Sequence, residues 1–214
     1  AGPTREPIDP VRFISNYSSG KMGYALAESA RNLGADVELI SGPVGIKMPE
    51  NIKVTSVETS AEMLDAVLGK IPYCDVFISA AAISDYRPSH KLTEKHKSSD
   101  GELVIRLERG EDILKLAKET KAGLYAVGFS AETNNISDNA KIKFEKKNID
   151  MIISNEANHQ KGLGFESDMN EVCIIEKDSM LKIPKNTKKI IADIILSRIA
   201  KNIKGNLIKI KNAR

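Results

Sequence analysis

The sequence predicts an α/β fold: a three-layer sandwich with a mainly parallel sheet and an antiparallel arm. Three observations carry this. Strand-like apolar runs alternate with helix-like stretches along most of the chain. The runs 76–82, 124–129 and 151–154 are unbroken rather than alternating, as strands covered on both faces are. Residues 87–109 break the rhythm: Pro88, then Lys91, Lys95 and Lys97, then an alternating run at 103–107 that reads as an antiparallel excursion. The alternation makes the sandwich Rossmann-like, and ligands of such sheets bind beyond the carboxyl ends of the strands.

The elements follow in order. Pro3, Pro7 and Pro10 mark an irregular opening. Ser15-Asn16-Tyr17-Ser18-Ser19-Gly20-Lys21 then precedes a helix at 22–33, where Met22, Ala25, Leu26, Ala30 and Leu33 share one face. Small hydroxyl residues, a glycine and a lysine at a helix start suit an anion, because first-turn N–H groups point outward and the dipole favours negative charge. Gly20 and Gly23 let the backbone approach a phosphate. An isolated Ser-Ser-Gly-Lys is more simply a cap and a solvated lysine, and it is not the G-x-x-x-x-G-K-[ST] loop. Gly34 ends the helix. Strands are expected at 37–40 and 52–57, with a turn at Ser41-Gly42-Pro43 between them, then a helix at 61–68 and a strand at 76–82. Beyond the arm come helix 112–118, strand 124–129, helix 138–147, strands 151–154 and 171–175, and helix 187–203. Residues 204–214 are basic and expected to fray. No repeat or low-complexity linker divides the chain, so residues 1–214 read as one domain with an arm at 87–109. An apolar strand is expected just ahead of Ala1, since the first loop has nothing to emerge from.

Composition narrows the function. A chain with 41% hydrophobic and 29% charged residues is ordinary for a soluble globular protein. Without tryptophan, its core must be Ile, Leu, Val and Ala. A net charge of +3 suits an anionic substrate and is too small to imply nucleic acid. No run has the length of a membrane span and no signal peptide is visible, so a cytoplasmic location is expected. Cys74 and Cys173 lie in apolar runs without C-x-x-C spacing and read as buried free thiols. His90, His96 and His159 lack metal-ligand spacing, and no metal ligands are assigned.

Five segments fall at strand ends or loops: Gly2-Pro3-Thr4-Arg5-Glu6; Pro10-Val11-Arg12-Phe13-Ile14-Ser15-Asn16 with Ser18-Ser19-Gly20-Lys21-Met22-Gly23; Ala80-Ala81-Ala82-Ile83-Ser84-Asp85-Tyr86-Arg87; Val127-Gly128-Phe129-Ser130-Ala131-Glu132-Thr133; and 143–147 before Asn148. With these the whole chain resembles the phosphopantothenoylcysteine synthetase family, the ligase of coenzyme A biosynthesis. In many members this domain follows a flavin-dependent decarboxylase. The resemblance implies a two-step reaction in which 4'-phosphopantothenate attacks the α-phosphate of CTP, pyrophosphate leaves, and the amine of cysteine displaces CMP from the acyl-cytidylate. It also implies Mg²⁺ bridging the triphosphate, and a homodimer. Gly2, Ser18, Gly20 and Gly23 match the family's site for the phosphate of phosphopantothenate, and Asn16 its catalytic asparagine. Ser79, Ala80, Ala81, Asp85, Glu111, Asp112, Ile113, Leu114, Phe129, Lys143 and Lys147 match nucleotide contacts. Lys95 matches the essential arm lysine, also in contact with the nucleotide. Family patterns read E-K-I-K-K there, whereas this chain has Glu94-Lys95-His96-Lys97-Ser98, which leaves Lys97 as the other candidate. Strictness for CTP over ATP rests on backbone positions that no motif reads.

Other classes fare worse. A nicotinamide oxidoreductase would need G-x-G-x-x-G, of which Gly20-Lys21-Met22-Gly23 is half. A nucleic-acid binder, prompted by the lysines of 182–189 and the basic tail, lacks aromatic interleaving. Loss of activity on a retained scaffold is at odds with the presence of Asn16 and Lys95.

Overall fold

The computed structural model describes residues 1–97, 101–132, 144, 147–156 and 166–212, with side chains for all of these except 131, 132, 156 and 205–212. Its centre is a five-stranded sheet in the order β11-β10-β9-β8-β5. Strands β5 (Val76–Ser79), β8 (Tyr125–Glu132) and β9 (Met151–Glu156) are parallel, with Ile78 opposite Val127 and Val127 opposite Met151. Strands β10 (Met169–Glu176) and β11 (Ser179–Thr187) add an antiparallel edge. A separate parallel pair, β3 (Glu38–Ser41) and β4 (Lys53–Ser56), stands beyond β5. Residues 1–4 run between the two. On one side the Gly42 N–H donates to the Ala1 carbonyl (3.0 Å); on the other the Ala82 N–H donates to the Gly2 carbonyl (2.9 Å).

Helices α1 (Lys21–Asn32) and α4 (Lys188–Asn212) cover one face of the sheet. Leu26 of α1 and Ile191, Ile195 and Ile199 of α4 pack there against Val127, Met151, Ile153 and Ile174. Helices α2 (Ser60–Lys70) and α3 (Ile113–Thr120) lie over the other face, where Leu114 meets Ala126 and Ile152, and Met63 and Val67 meet Ile113 and Leu124. Fully burying each of these aliphatic side chains contributes about 1.5–3 kcal/mol. The side chains of Thr59 and Asp112 cap α2 and α3 by accepting the N–H of Glu62 and Lys115. Helix α1 has no side-chain cap and starts instead from Gly20 in the left-handed region, at φ 77°.

The structure departs from the sequence reading in four places. The hairpin of β1 (Arg5–Pro7) and β2 (Phe13–Ser15) was hidden by prolines at 7 and 10, which edge strands and turns tolerate. The mostly exposed edge strand β11 lacks the apolar pattern that would announce it. The arm hairpin pairs β6 (Tyr86–Pro88) with β7 (Leu107–Arg109), later than the alternating run at 103–107, because only three residues are available opposite. Helix α4 continues to Asn212 rather than fraying from 204, since a nucleated helix gains one bond per added residue. The helix expected at 138–147 lies almost entirely outside the described residues.

Candidate functional site

A cleft of about 450 Å³ opens at the start of α1, walled by Arg5, Phe13, Asn16, Ser18, Val44 and Glu166 among others. Three buried glycines pack behind it. A Cβ on Gly20 would sit 2.6 Å from Val44 Cγ1, and Gly20 also needs its positive φ. A Cβ on Gly2 would lie 2.9 Å from the Gly42 carbonyl oxygen, and one on Gly23 2.5 Å from Ala1 Cβ. The first turn of α1, residues 1–3 and the 42–44 loop therefore pack too closely to leave room for side chains at these three positions. Ser18 Oγ accepts the Gly20 N–H at 3.3 Å and holds the loop in its turn.

Asn16 sits at the end of β2, on the lip of this cleft. Its amide nitrogen donates to the Ala82 carbonyl (3.0 Å) and the Ser84 hydroxyl (3.4 Å). Ser15 donates to the Thr4 carbonyl at 2.8 Å, and Thr4 Oγ1 accepts the Ser84 N–H at 3.1 Å. The Ser-Asn segment and the loop after β5 are thus laced together.

That loop leads to the residues expected at the nucleotide. Ser79 ends β5 opposite Gly128, and Ala80 and Ala81 follow, all partly buried. The Asp85 carbonyl accepts the Gly110 N–H at 2.9 Å, bringing residues 85 and 110–112 together. Glu111 is exposed; Ile113 and Leu114 are core side chains, so only their backbone could face a ligand. Lys147 pairs with Asp112 at 2.9 Å. Burial pushes the Asp112 carboxyl up, but Lys147, the Lys115 N–H and Arg109 outweigh it and hold it below its ordinary value. Phe129 packs toward α1 and α4, across the sheet from Asp112 and Lys147. Lys143 lies outside the described residues. Lys95 and Lys97 are both exposed on the arm. Within the arm the Ser89 N–H donates to the Arg106 carbonyl (3.0 Å), and the Leu92 N–H ties the arm to the Ile8 carbonyl (2.9 Å), between β1 and β2.

Lys21, in the same motif, donates from Nζ to Asp168 Oδ1 (2.7 Å) and to the carbonyl of Glu166 (2.8 Å), a residue of the cleft wall. The contact holds the Asp168 carboxyl below its ordinary range. The cation in the cleft wall is Arg5, stacked 4.6 Å from the Phe13 ring centroid. Its only signal in the sequence was its place in Gly2-Pro3-Thr4-Arg5-Glu6. Among the described residues no three His, Cys, Asp or Glu side chains converge on a metal position. No helix among them is long and apolar enough to cross a membrane. Cys74 and Cys173 are unbridged, and burial pushes both thiols up.

A family model described as the DNA/pantothenate metabolism flavoprotein C-terminal domain matches residues 1–203. The chain is 42% identical over 202 residues to the Coenzyme A biosynthesis bifunctional protein CoaBC of Vibrio vulnificus strain CMCP6, covering 93% of this chain and 50% of that protein. It is 44% identical over 202 residues to the protein of the same name from Bacillus subtilis strain 168, covering 94% and 50%. It therefore spans about half the length of the curated relatives it matches. A crystal structure of the C-terminal domain of Coenzyme A biosynthesis bifunctional protein CoaBC superposes with a TM-score of 0.81 at 41% identity, covering 96% of this chain and 93% of that one.

Proposed function

The chain belongs to the DNA/pantothenate metabolism flavoprotein C-terminal domain family, and from that premise we propose that it is a phosphopantothenate–cysteine ligase of coenzyme A biosynthesis. The observation that carries this is the cleft at the start of α1, lined by Ser18 and Ser19, with Arg5 in its wall and Asn16 on its lip. The cleft suits the phosphate of 4'-phosphopantothenate, with Ser18 in its wall and Gly2, Gly20 and Gly23 assigned to the same site, Gly2 and Gly20 packing behind Val44. The pantothenate carboxylate attacks the α-phosphorus of CTP, and the bond to pyrophosphate breaks. The cysteine amine then attacks the acyl carbon, loses a proton and expels CMP. Ser79 to Ala81, Asp85, the 111–114 segment, Phe129, Lys143 and Lys147 are assigned to the nucleotide, and Lys95 to charge on its α-phosphate. Mg²⁺ would enter with the nucleotide, offsetting charge on its phosphate oxygens.

Two finer parts belong to the proposal. Phe13, Tyr17, Tyr86, Val104 and Leu107 are large exposed apolar residues on or beside the β1–β2 and β6–β7 hairpins, which supports a homodimer through that side. The bifunctional relatives, half covered by this chain, support a flavin-dependent decarboxylase domain joined to it. The reaction is tested by pyrophosphate release with 4'-phosphopantothenate, Mg²⁺ and each of four nucleotides, with and without cysteine. CTP should support release without cysteine, and ligated product should form only with it. No release with any nucleotide would overturn the assignment.

A further inference from the structure

Of the three substrates in the proposed reaction, cysteine alone is without a site. Arg5 lies where one is needed. It pairs with Ser15 in the β1–β2 register, so its place on the strand is next to that of Asn16. Its guanidinium carbon is 4.6 Å from the centroid of the Phe13 ring, and both residues line the cleft. Stacking on an aromatic face fixes the plane of a guanidinium and leaves its N–H edge for a ligand. Among the described residues its ion-pair partner is Glu58, at 4.0 Å, with the two side chains 39% and 62% exposed. A pair that long and that solvated is worth little and does not consume the fork. The backbone holds Arg5 in place: its N–H donates to the Glu58 carbonyl at 2.8 Å, and the carbonyl of Thr4 before it accepts the Ser15 hydroxyl at 2.8 Å. Among the described residues that line the cleft, Arg5 is the only cation.

We propose, on the ligase reading above, that Arg5 binds the carboxylate of the incoming cysteine, so that the cleft selects an α-amino acid over a simple amine. A guanidinium offers two parallel N–H donors that match the two oxygens of a carboxylate. The phosphate of phosphopantothenate is assigned to Ser18 and the glycines about the start of α1. Arg5 sits instead beside Asn16, the residue assigned to the acyl group. In an α-amino acid one carbon separates the amine from the carboxylate. A carboxylate held on Arg5 therefore keeps the amine close to Asn16, where the acyl carbon would be. The cation has a second effect. Positive charge nearby disfavours the ammonium form, and the neutral amine is the nucleophile.

The test compares the parent chain with Arg5→Met and Arg5→Lys, using cysteine and cysteamine, which is cysteine without its carboxylate. Pyrophosphate release from CTP, Mg²⁺ and 4'-phosphopantothenate with no amine present reports activation, and amide product reports transfer. The parent should prefer cysteine to cysteamine at least about tenfold in kcat/KM, the low end for one charge-assisted contact. Arg5→Met should keep parental pyrophosphate release and parental KM for phosphopantothenate in the amine-free reaction. Its KM for cysteine should rise about ten- to a hundredfold while its use of cysteamine is unchanged, so the preference disappears. Arg5→Lys should keep part of the preference, as a point charge without the fork. If Arg5→Met melts below the assay temperature, Arg5→Lys decides: a reduced preference supports the site and a parental one overturns it. Equal use of both amines by the parent, or an undiminished preference in Arg5→Met, would overturn the proposal. So would a raised KM for phosphopantothenate in the amine-free reaction, which gives Arg5 to that substrate. If the parent releases no pyrophosphate with any nucleotide, the ligase reading fails and the cysteine site falls with it.

Discussion

Asn16 shows how much a single amide is asked to do. In this structure its nitrogen is given to Ala82 and Ser84, so it acts first as a clamp on the loop leading to Asp85. Donation to an acyl oxygen would require exchanging one of those contacts. Asn16→Asp keeps the shape, loses the donor and sets a carboxylate against the Ala82 carbonyl. It should still release pyrophosphate yet form ligated product at least about a hundredfold more slowly, the usual scale for losing one positioned donor. Near-parental ligation by that variant would remove Asn16 from the chemistry. The two arm lysines separate in a similar way. Lys95→Gln should abolish pyrophosphate release even without cysteine while phosphopantothenate binding, followed by calorimetry, is unchanged; Lys97→Gln should remain active. The reverse pattern moves the role to Lys97. Gly2, Gly20 and Gly23 were legible as positions of close approach, because tight packing leaves a mark on residue choice. The partner of Lys21 was not, because a lysine in a loop motif looks the same whether it meets a ligand or a distant aspartate.

At the scale of elements, helix α4 is held to the sheet by more than apolar contact. Arg198 donates to Glu176 Oε2 from Nε (2.8 Å) and Nη2 (2.5 Å), and Asn202 bridges Glu176 Oε1 (2.6 Å) and the Tyr125 hydroxyl (2.8 Å). Burial pushes the Glu176 carboxyl up, but Arg198, Ser179 and Asn202 hold it below its ordinary value. Arg198→Met would leave that carboxylate half-satisfied and largely buried. It should lower unfolding stability by about 2–3 kcal/mol, less than the cost of a fully buried broken pair because Arg198 is partly solvated. A depressed carboxyl contributes stability above its unfolded pKa of about 4.3 and loses it as pH falls below that. The Arg198→Met deficit should therefore narrow in urea titrations between pH 5 and 3; a deficit independent of pH would place the cost in packing alone. The helices themselves were legible within two residues at most ends, since their apolar stripes are local. Strands β1, β2 and β11 were not, because each lies at an edge where the partner supplies the stability.

The whole molecule meets at Lys188. This residue opens α4, is 6% exposed, and donates its backbone N–H to the Asp168 carbonyl at 2.9 Å, on the loop that binds Lys21. Burial, then the nearby charge of Lys21, lowers its pKa to about 8, with Asp168 opposing. The sign follows directly. Between about pH 8 and the ordinary 10.5 the unfolded chain holds more protons than the folded one, so this group makes stability rise with pH there. Below about 8 its charging penalty is fully present, at most about 3 kcal/mol and less after solvent screening. Lys188→Met should be more stable than the parent at pH 7, and the gap should close by about pH 10.5 in denaturant titrations. A gap that does not change with pH would show that Lys188 is not titrating in this range.

By itself the sequence determined the α/β class, most helices and the parallel strands, and the glycines at which the backbone packs most tightly. Each of these rests on a repeat or a residue type confined to a short window, so the chemistry that selects it is local. Tertiary structure alone decided the rest. It ran residues 1–4 between two sheets, joined Lys21 to a carboxylate 147 residues away and turned Phe129 away from Asp112. It also hung the lysine arm from Arg12 across 84 residues. Ion pairs and backbone tethers of this kind depend only on distances after folding, and a charge carries no mark of which distant partner it will meet.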